Sequence, residues 1–302
     1  VTVHHGALIF ASDDELVNGT HQLVADGLLA GDRVLVVGGR HLLDVLRSAW
    51  DDDPRITFHD QDVFYDSPMV TVAGLQRLLD REGAAGHRVR VTGPVPFGGD
   101  PATRRAWMSY EALVDRAFAP YGLTSLCQYD TRVTADDLLA HAWATHDRVV
   151  TSSGVAAGGQ RRAEVLAGLT AAAVADAPDL GTVLYDDVLL ASEDLGRFRT
   201  GLIPAPGDLV LAANEVATNA FVHARPPVTV RFGHGPAGWT CVVTDCGPGL
   251  PDPHAGIDSP LPGNPQAPGH GLWLVRQLCD RVGIIASGSG TTVSMTLRDR
   301  GA

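Results

Sequence analysis

Residues 208–224 read DLVLAANEVATNAFVHA. Ala, Leu, Val and Phe fill most of this stretch, and neither Gly nor Pro interrupts it, so a helix is expected. Glu215, Asn219 and His223 recur every four residues. They form one polar stripe on an otherwise apolar helix. Such a stripe either faces water or lines a pocket, and two glycine-rich loops downstream in the chain favour the pocket.

The first of these loops is Val243-Thr244-Asp245-Cys246-Gly247-Pro248-Gly249, preceded by the strand-like run Trp239–Val243. It puts an acidic side chain at a strand end with two glycines behind it. The second is Gly269-His270-Gly271, opening the run LWLVRQLC over 272–279, which is apolar at helical spacing. Glycine at the mouth of a helix lets phosphate approach backbone N–H groups, and the helix N-terminus favours its charge. Gly290-Thr291-Thr292-Val293 then opens a last strand. Each piece alone is weak, but their order is specific.

That order resembles the GHKL ATP-binding superfamily, which includes histidine kinases, gyrase-type ATPases and anti-sigma-factor serine kinases. The anti-sigma branch is nearest, through NEVATNAFVHA, TDCGPGL, GHGLWLVRQLCD and GTTV. The resemblance covers about residues 182–300 and implies a Bergerat-type α/β sandwich with ATP and Mg²⁺ as cofactors. By that likeness Asn219 holds Mg²⁺, Asp245 receives the adenine amino group, and Gly247 and Gly249 let adenine approach. Gly269, His270, Gly271 and Leu272 border the phosphates, and Thr292 lies near Asp245. His223 joins the binding set as the third member of the stripe. Glu215 matches the general base of the family members that do catalysis.

A chain of 302 residues suggests about two domains. No run approaches the ~20 apolar residues of a membrane span. No signal-peptide pattern precedes the first strand, so a cytoplasmic protein is expected. Cys127, Cys241, Cys246 and Cys279 lack metal-pair spacing. The net charge of −12 argues against a nucleic-acid partner. There is no lysine in the sequence, so any phosphate clamp must be Arg, His, backbone or metal.

The first half alternates apolar strand-like runs with amphipathic helical ones. Strands are expected at 3–11, 33–37, 56–58, 89–93, 124–130 and 148–151. Helices are expected at 14–30, 41–49, 70–82, 102–118 and 135–145. Ser12 is placed to cap the first helix, with acids in its first turn. This is the pattern of a doubly wound α/β domain. It resembles the MEDS (DcmR-type) sensory domain, a RecA-like module. The likeness rests on an early His before an apolar strand, FASDDEL, GDRVLVV, RVTGPVPF with SYE, LCQYD and THDRVV, over about residues 3–152. The pairing with an anti-sigma-type ATPase is similar to RsbA-type regulators.

His4, His5, His21, His41, His59 and Cys127 are candidate metal or haem ligands, but their spacings match no zinc pattern. Solvated or core histidines are therefore the expectation. Tyr110, Glu111, Cys127 and Tyr129 are candidate lining residues of a sensory cleft for a small ligand, against ordinary core packing.

Residues 153–181 are rich in Gly, Ser and Ala and read as a linker with a helical piece ending before Pro178. This gives a sensory domain over 1–152 and an ATPase domain over 182–302. In the second domain a strand is expected over 180–190, a helix over 193–202, and a mixed sheet with helices on one face. The lid between Gly249 and Gly269 carries Pro251, Pro253, Pro260, Pro262, Pro265 and Pro268 but no Arg. Phosphoryl transfer needs positive charge on the transferring oxygens. His254, His270 and Arg276 are the side chains within reach in sequence. Two functions stay open. One is a Ser/Thr kinase acting on an anti-sigma antagonist, with Glu215 as base. The other is a nucleotide-gated module that sequesters a sigma factor or antagonist without turnover. A histidine autokinase is weaker, since no phosphoacceptor hairpin precedes the ATPase half. A homodimer is compatible with either.

Overall fold

The computed structural model describes residues 4–50, 53–175, 179–258 and 270–299, apart from the side chains of 173–175. The chain divides into two compact units, Val1–Leu169 and Thr170–Ala302.

In the first unit the elements run β1 (His4–Phe10), α1 (Asp13–Ala30), β2 (Arg33–Gly38), α2 (Arg40–Trp50), β3 (Ile56–Asp60) and α3 (Gln61–Phe64). They continue through α4 (Pro68–Ala84), β4 (Val89–Pro94), α5 (Pro101–Phe118), β5 (Thr124–Asp130), α6 (Asp136–Thr145), β6 (Arg148–Thr151) and β7 (Gly154–Ala157). The sheet order is β3-β2-β4-β5-β1-β6-β7. Its first five pairings are parallel and β6–β7 is antiparallel. Successive residues of β1 serve opposite faces. Leu8 and Phe10 pack with Leu16, Leu23 and Leu43 of α1 and α2, whereas Ala7 packs with Trp107, Leu138 and Ala142 of α5 and α6. Helices thus cover both faces, the doubly wound arrangement expected of a parallel sheet. Ser12 caps α1, accepting from Glu15 N–H at 3.2 Å, while Glu15 accepts from Ala11 N–H at 2.7 Å. This reciprocal pair fixes where β1 hands over to the helix.

Residues 154–157 form a strand, although their Gly/Ala content reads as linker. The pairing Thr151↔Gly154 closes a hairpin on β6, so the partner strand supplies what local propensity does not.

After α7 (Arg162–Ala175) the second unit runs β8 (Thr182–Leu189), a 3₁₀ turn at Ser192–Asp194, α8 (Leu195–Gly201), α9 (Gly207–His223), β9 (Val228–Gly235) and β10 (Gly238–Thr244). It ends with α10 (His270–Leu278), β11 (Arg281–Ser287) and β12 (Gly290–Leu297). The order is β11-β12-β10-β9-β8. Every one of these pairings is antiparallel, which corrects the expected mixed sheet. Short hairpins join β9 to β10 and β11 to β12, and such connections force antiparallel neighbours. Phe198 of α8, Leu209, Ala213 and Ala217 of α9 and Val275 of α10 bury against Val230, Phe232, Val243, Val293 and Met295 of the sheet in one core. The three helices therefore share one face.

Phe232 is fully buried and stacks on Trp239, with ring centroids 5.5 Å apart. Phe232→Ala removes a large core side chain, which costs about 3–5 kcal/mol. Hydrogen exchange should then speed up in β9, β10 and α9 with little change in the first unit. Unchanged protection in β9 would contradict this core assignment.

Candidate functional site

The site of the second unit is built on α9. Leu209, Ala212, Ala213, Val216, Ala217 and Ala220 are buried, which fixes the rotation of the helix. Glu215 and Asn219 then fall on a half-buried face. Gly271, in the first turn of α10, lies against them. A Cβ on Gly271 would stand 3.0 Å from Asn219 Nδ2 and 3.3 Å from Glu215 Oε2. Neither side chain has a hydrogen-bond or ion-pair partner among the described residues. A half-buried carboxylate and amide without partners cost stability unless something else satisfies them. His223, one turn further on, is exposed at the end of the helix, outside this group.

Asp245 follows β10. Its Oδ1 accepts from Gly247 N–H at 2.8 Å and from Thr291 N–H at 3.1 Å, and its own N–H donates to Thr291 O at 2.9 Å. The carboxylate is thereby held in one orientation. Among the described residues none bonds to Oδ2, which is left as an acceptor. Thr292 lies beside it in the sheet, its hydroxyl 2.9 Å from that of Thr244. Gly249 adopts φ 83°, and a Cβ there would stand 2.2 Å from Ser287 O, so the loop lies directly on the end of β11. Leu272 packs on the core of the unit, so only its backbone can border a ligand. His270 begins α10. Gly269, with Pro260, Pro262, Pro265 and Pro268 of the lid, lies outside the described residues.

Arg276 is turned toward the lid backbone. It is buried, and its Nε and Nη2 donate to Ala255 O at 2.8 Å and Pro253 O at 3.0 Å. The guanidinium braces the start of the lid against α10. His254 in that segment lies 3.3 Å from the Thr170 hydroxyl.

In the first unit the histidines named from sequence separate. His21 lies against Trp50, His41 pairs with Asp13, and His59 lies 3.0 Å from the Thr57 hydroxyl. His5 instead joins Glu111, Cys127 and His146 in a buried group whose donor atoms all lie within 4.8 Å of one another. Tyr129 O–H donates to Glu111 at 2.9 Å. Burial alone would raise the Glu111 carboxyl, but His146 and His5 hold it well below the usual range. Tyr110, Glu111 and Cys127 also line a cavity of about 30 Å³ with Tyr65 and Phe118. Sequence reasoning misses His146 as a partner of His5 because no local spacing links the two; only the parallel pairing of β1 with β5 and β6 brings them together.

Gly249→Ala places a methyl group into the Ser287 carbonyl at a left-handed backbone angle. The expected result is loss of nucleotide binding in calorimetry with the far-ultraviolet dichroism retained. Gly288→Ala has open space around its Cβ and should bind as the wild type does. Equal binding by both variants would show that the Asp245–Gly249 loop is not part of the site.

Residues 4–147 match the model of the MEDS domain, described as "MEthanogen/methylotroph, DcmR Sensory domain", and residues 163–297 match that of the histidine kinase-like ATPase domain. No curated protein matches the chain. Among solved structures, the cytoplasmic domain of EssC aligns at 10% identity with a TM-score of 0.30, over 49% of this chain and 30% of that one. No described helix is long and apolar enough to cross a membrane. The family matches and the two sheets agree on one architecture: this chain joins an N-terminal MEDS sensory domain to a C-terminal GHKL-type, histidine kinase-like ATPase domain.

Proposed function

We propose that the second domain binds ATP with Mg²⁺ and acts as an anti-sigma-type Ser/Thr kinase in a sigma-factor pathway, with the MEDS domain as its sensor. The observation that carries the nucleotide site is the convergence of unpartnered Glu215 and Asn219 on Gly271. An Mg²⁺ ion would neutralise phosphate charge, and the Asn219 amide oxygen is the neutral ligand on this face. The remaining Asp245 oxygen is an acceptor suited to an exocyclic amine, held steady by two backbone N–H groups. Glu215 lies one turn before Asn219, so a hydroxyl brought to the same face meets a carboxylate. In the kinase step the hydroxyl oxygen bonds to the γ-phosphorus, the bond to the ADP oxygen breaks, and Glu215 takes the hydroxyl proton. The proposed acceptor is a serine or threonine of an anti-sigma antagonist.

A second reading is supported by the commitment of Arg276 to the lid carbonyls. With no lysine in the sequence, little side-chain charge is at hand for a transferring phosphoryl group. In this reading the domain sequesters a sigma factor or antagonist according to bound nucleotide, without turnover.

Asp245→Asn separates adenine recognition from folding. The amide oxygen can still accept from Gly247 and Thr291, but an NH₂ group then replaces the outer acceptor. ATP affinity should fall about 10–100-fold, or roughly 1.5–3 kcal/mol, with an unchanged melting temperature. Unchanged affinity in calorimetry would remove Asp245 from the site.

Glu215→Ala and Asn219→Ala separate binding from turnover. General-base assistance is worth about 10²–10⁴ in rate. Glu215→Ala should lose phosphate transfer to the antagonist and keep MgATP affinity within a few-fold, whereas Asn219→Ala should weaken MgATP binding itself. Equal transfer by wild type and Glu215→Ala would exclude the catalytic role. A wild type that captures its partner only with nucleotide, and transfers no phosphate, would decide for the binding module.

A further inference from the structure

We propose that His5, Glu111, Cys127 and His146 of the MEDS domain form a buried binding site for a divalent transition metal of the zinc class. The four residues come from β1, α5, β5 and the position just after α6. The side chains of His5, Glu111 and His146 have no exposed surface. Cys127 Sγ lies 3.2 Å from Glu111 Oε1 and 3.4 Å from His5 Nε2. His5 Nε2 and His146 Nε2 lie 3.7 and 2.8 Å from Glu111 Oε2. Four donors at zinc distances from one centre stand about 3.3–3.8 Å apart in a tetrahedron. The observed donors lie within 4.8 Å of one another, so an ion would draw the widest pair together by up to about 1 Å, and His146 has to move away from Glu111. Two imidazoles, a thiol and a carboxylate are also the donor types zinc prefers.

The tautomer of His146 adds an independent argument. Its Nδ1 lies 2.9 Å from the Ala142 carbonyl oxygen and 3.2 Å from the Thr145 hydroxyl. That hydroxyl donates to His141 O, so both neighbours of Nδ1 accept. Nδ1 therefore carries a proton, and in the neutral ring the lone pair of Nε2 points into the cluster. There it meets a Glu111 oxygen at 2.8 Å, in a geometry that makes no hydrogen bond. A lone pair against a carboxylate is repulsive unless a cation lies between them. A proton shared by His146 and Glu111 would supply that cation, and so would a divalent ion bound by both. A divalent ion with thiolate, carboxylate and two neutral imidazoles has no net charge, the condition a buried cluster must meet.

The surroundings fit a ligand set held from outside. The Ala142 carbonyl orients His146, and Tyr129 O–H fixes the carboxylate of Glu111. Asp115 faces His5 Nδ1 at 3.8 Å and is itself paired with Arg162. Such outer partners set ring orientation and ligand basicity in metal sites. The cavity beside Glu111 and Cys127 has room for one or two water molecules.

The test uses the full chain, stripped with a chelator and reloaded with Co²⁺ or Zn²⁺. The wild type should take up about one equivalent per chain and show the intense visible bands of tetrahedral cobalt with a near-ultraviolet thiolate-to-cobalt band. Cys127→Ser should lose the thiolate band. Glu111→Gln should keep that band and bind Zn²⁺ at least about 10-fold more weakly, which preserves the test if the serine variant does not fold. Unfolding on chelation that zinc reverses would also support the site. A folded wild type that takes up no metal would overturn the proposal, as would a thiolate band that persists in folded Cys127→Ser. Either result would leave a hydrogen-bonded core cluster.

Discussion

The close approach of α10 to the polar stripe of α9 sets the geometry of the ATPase domain's candidate site. It exists because Gly271 has no side chain. A Cβ there would lie within 3.3 Å of both Asn219 and Glu215. The apolar sides of α9 are committed to the sheet, so the helix cannot rotate to relieve the crowding. Alanine at 212, 213, 217 and 220 lets α9 lie close over the strands, and its remaining face meets the first turn of α10. The polar groups of Glu215 and Asn219 are left half-buried at that junction, without protein partners among the described residues.

Electrostatics shape the same site. A helix N-terminus offers N–H groups and a favourable dipole to an anion, and α10 begins beside Asn219. The arginine best placed on α10 faces elsewhere. Arg276 holds the carbonyls of Pro253 and Ala255, and so ties the lid to the helix that would border the phosphates. Any movement of residues 253–255 must break those bonds or carry α10 with it. The start of the lid and the helix are therefore coupled through one buried guanidinium.

The elements of the fold are readable in the sequence because each rests on local signals. The polar stripe at intervals of four, Asp245 at a strand end and Gly271 at a helix mouth can each be seen in a short window. The structure puts Glu215, Asn219 and Gly271 together and holds Asp245 by Gly247 and Thr291. It leaves His223 exposed and Leu272 half-buried against the core, since a period of four drifts around the helix and an apolar residue packs inward. The antiparallel character of the second sheet and the strand at 154–157 are not readable, because pairing depends on partners rather than on propensity. The role of Arg276 is hidden for a related reason. A cation near a nucleotide motif suggests phosphate, and nothing local reveals that its partners are lid carbonyls.

The buried cluster of the MEDS domain shows where such reading stops. His5 and Cys127 are 122 residues apart, yet they touch because β1 inserts between β5 and β6. No spacing rule for metal ligands applies when each ligand comes from a different element. The physical requirement is unchanged by that separation. Polar groups without exposed surface must be satisfied in hydrogen bonds and in charge. Tyr129, Ala142 and Thr145 meet the first requirement on the outside of the cluster. The second is the requirement that the proposed ion would meet. A parallel sheet makes such a site accessible to folding because its central strands are rigid and covered on both faces. Donors on neighbouring strands are then set by register, and only Glu111 of α5 and His146, just after α6, need to be fitted to them.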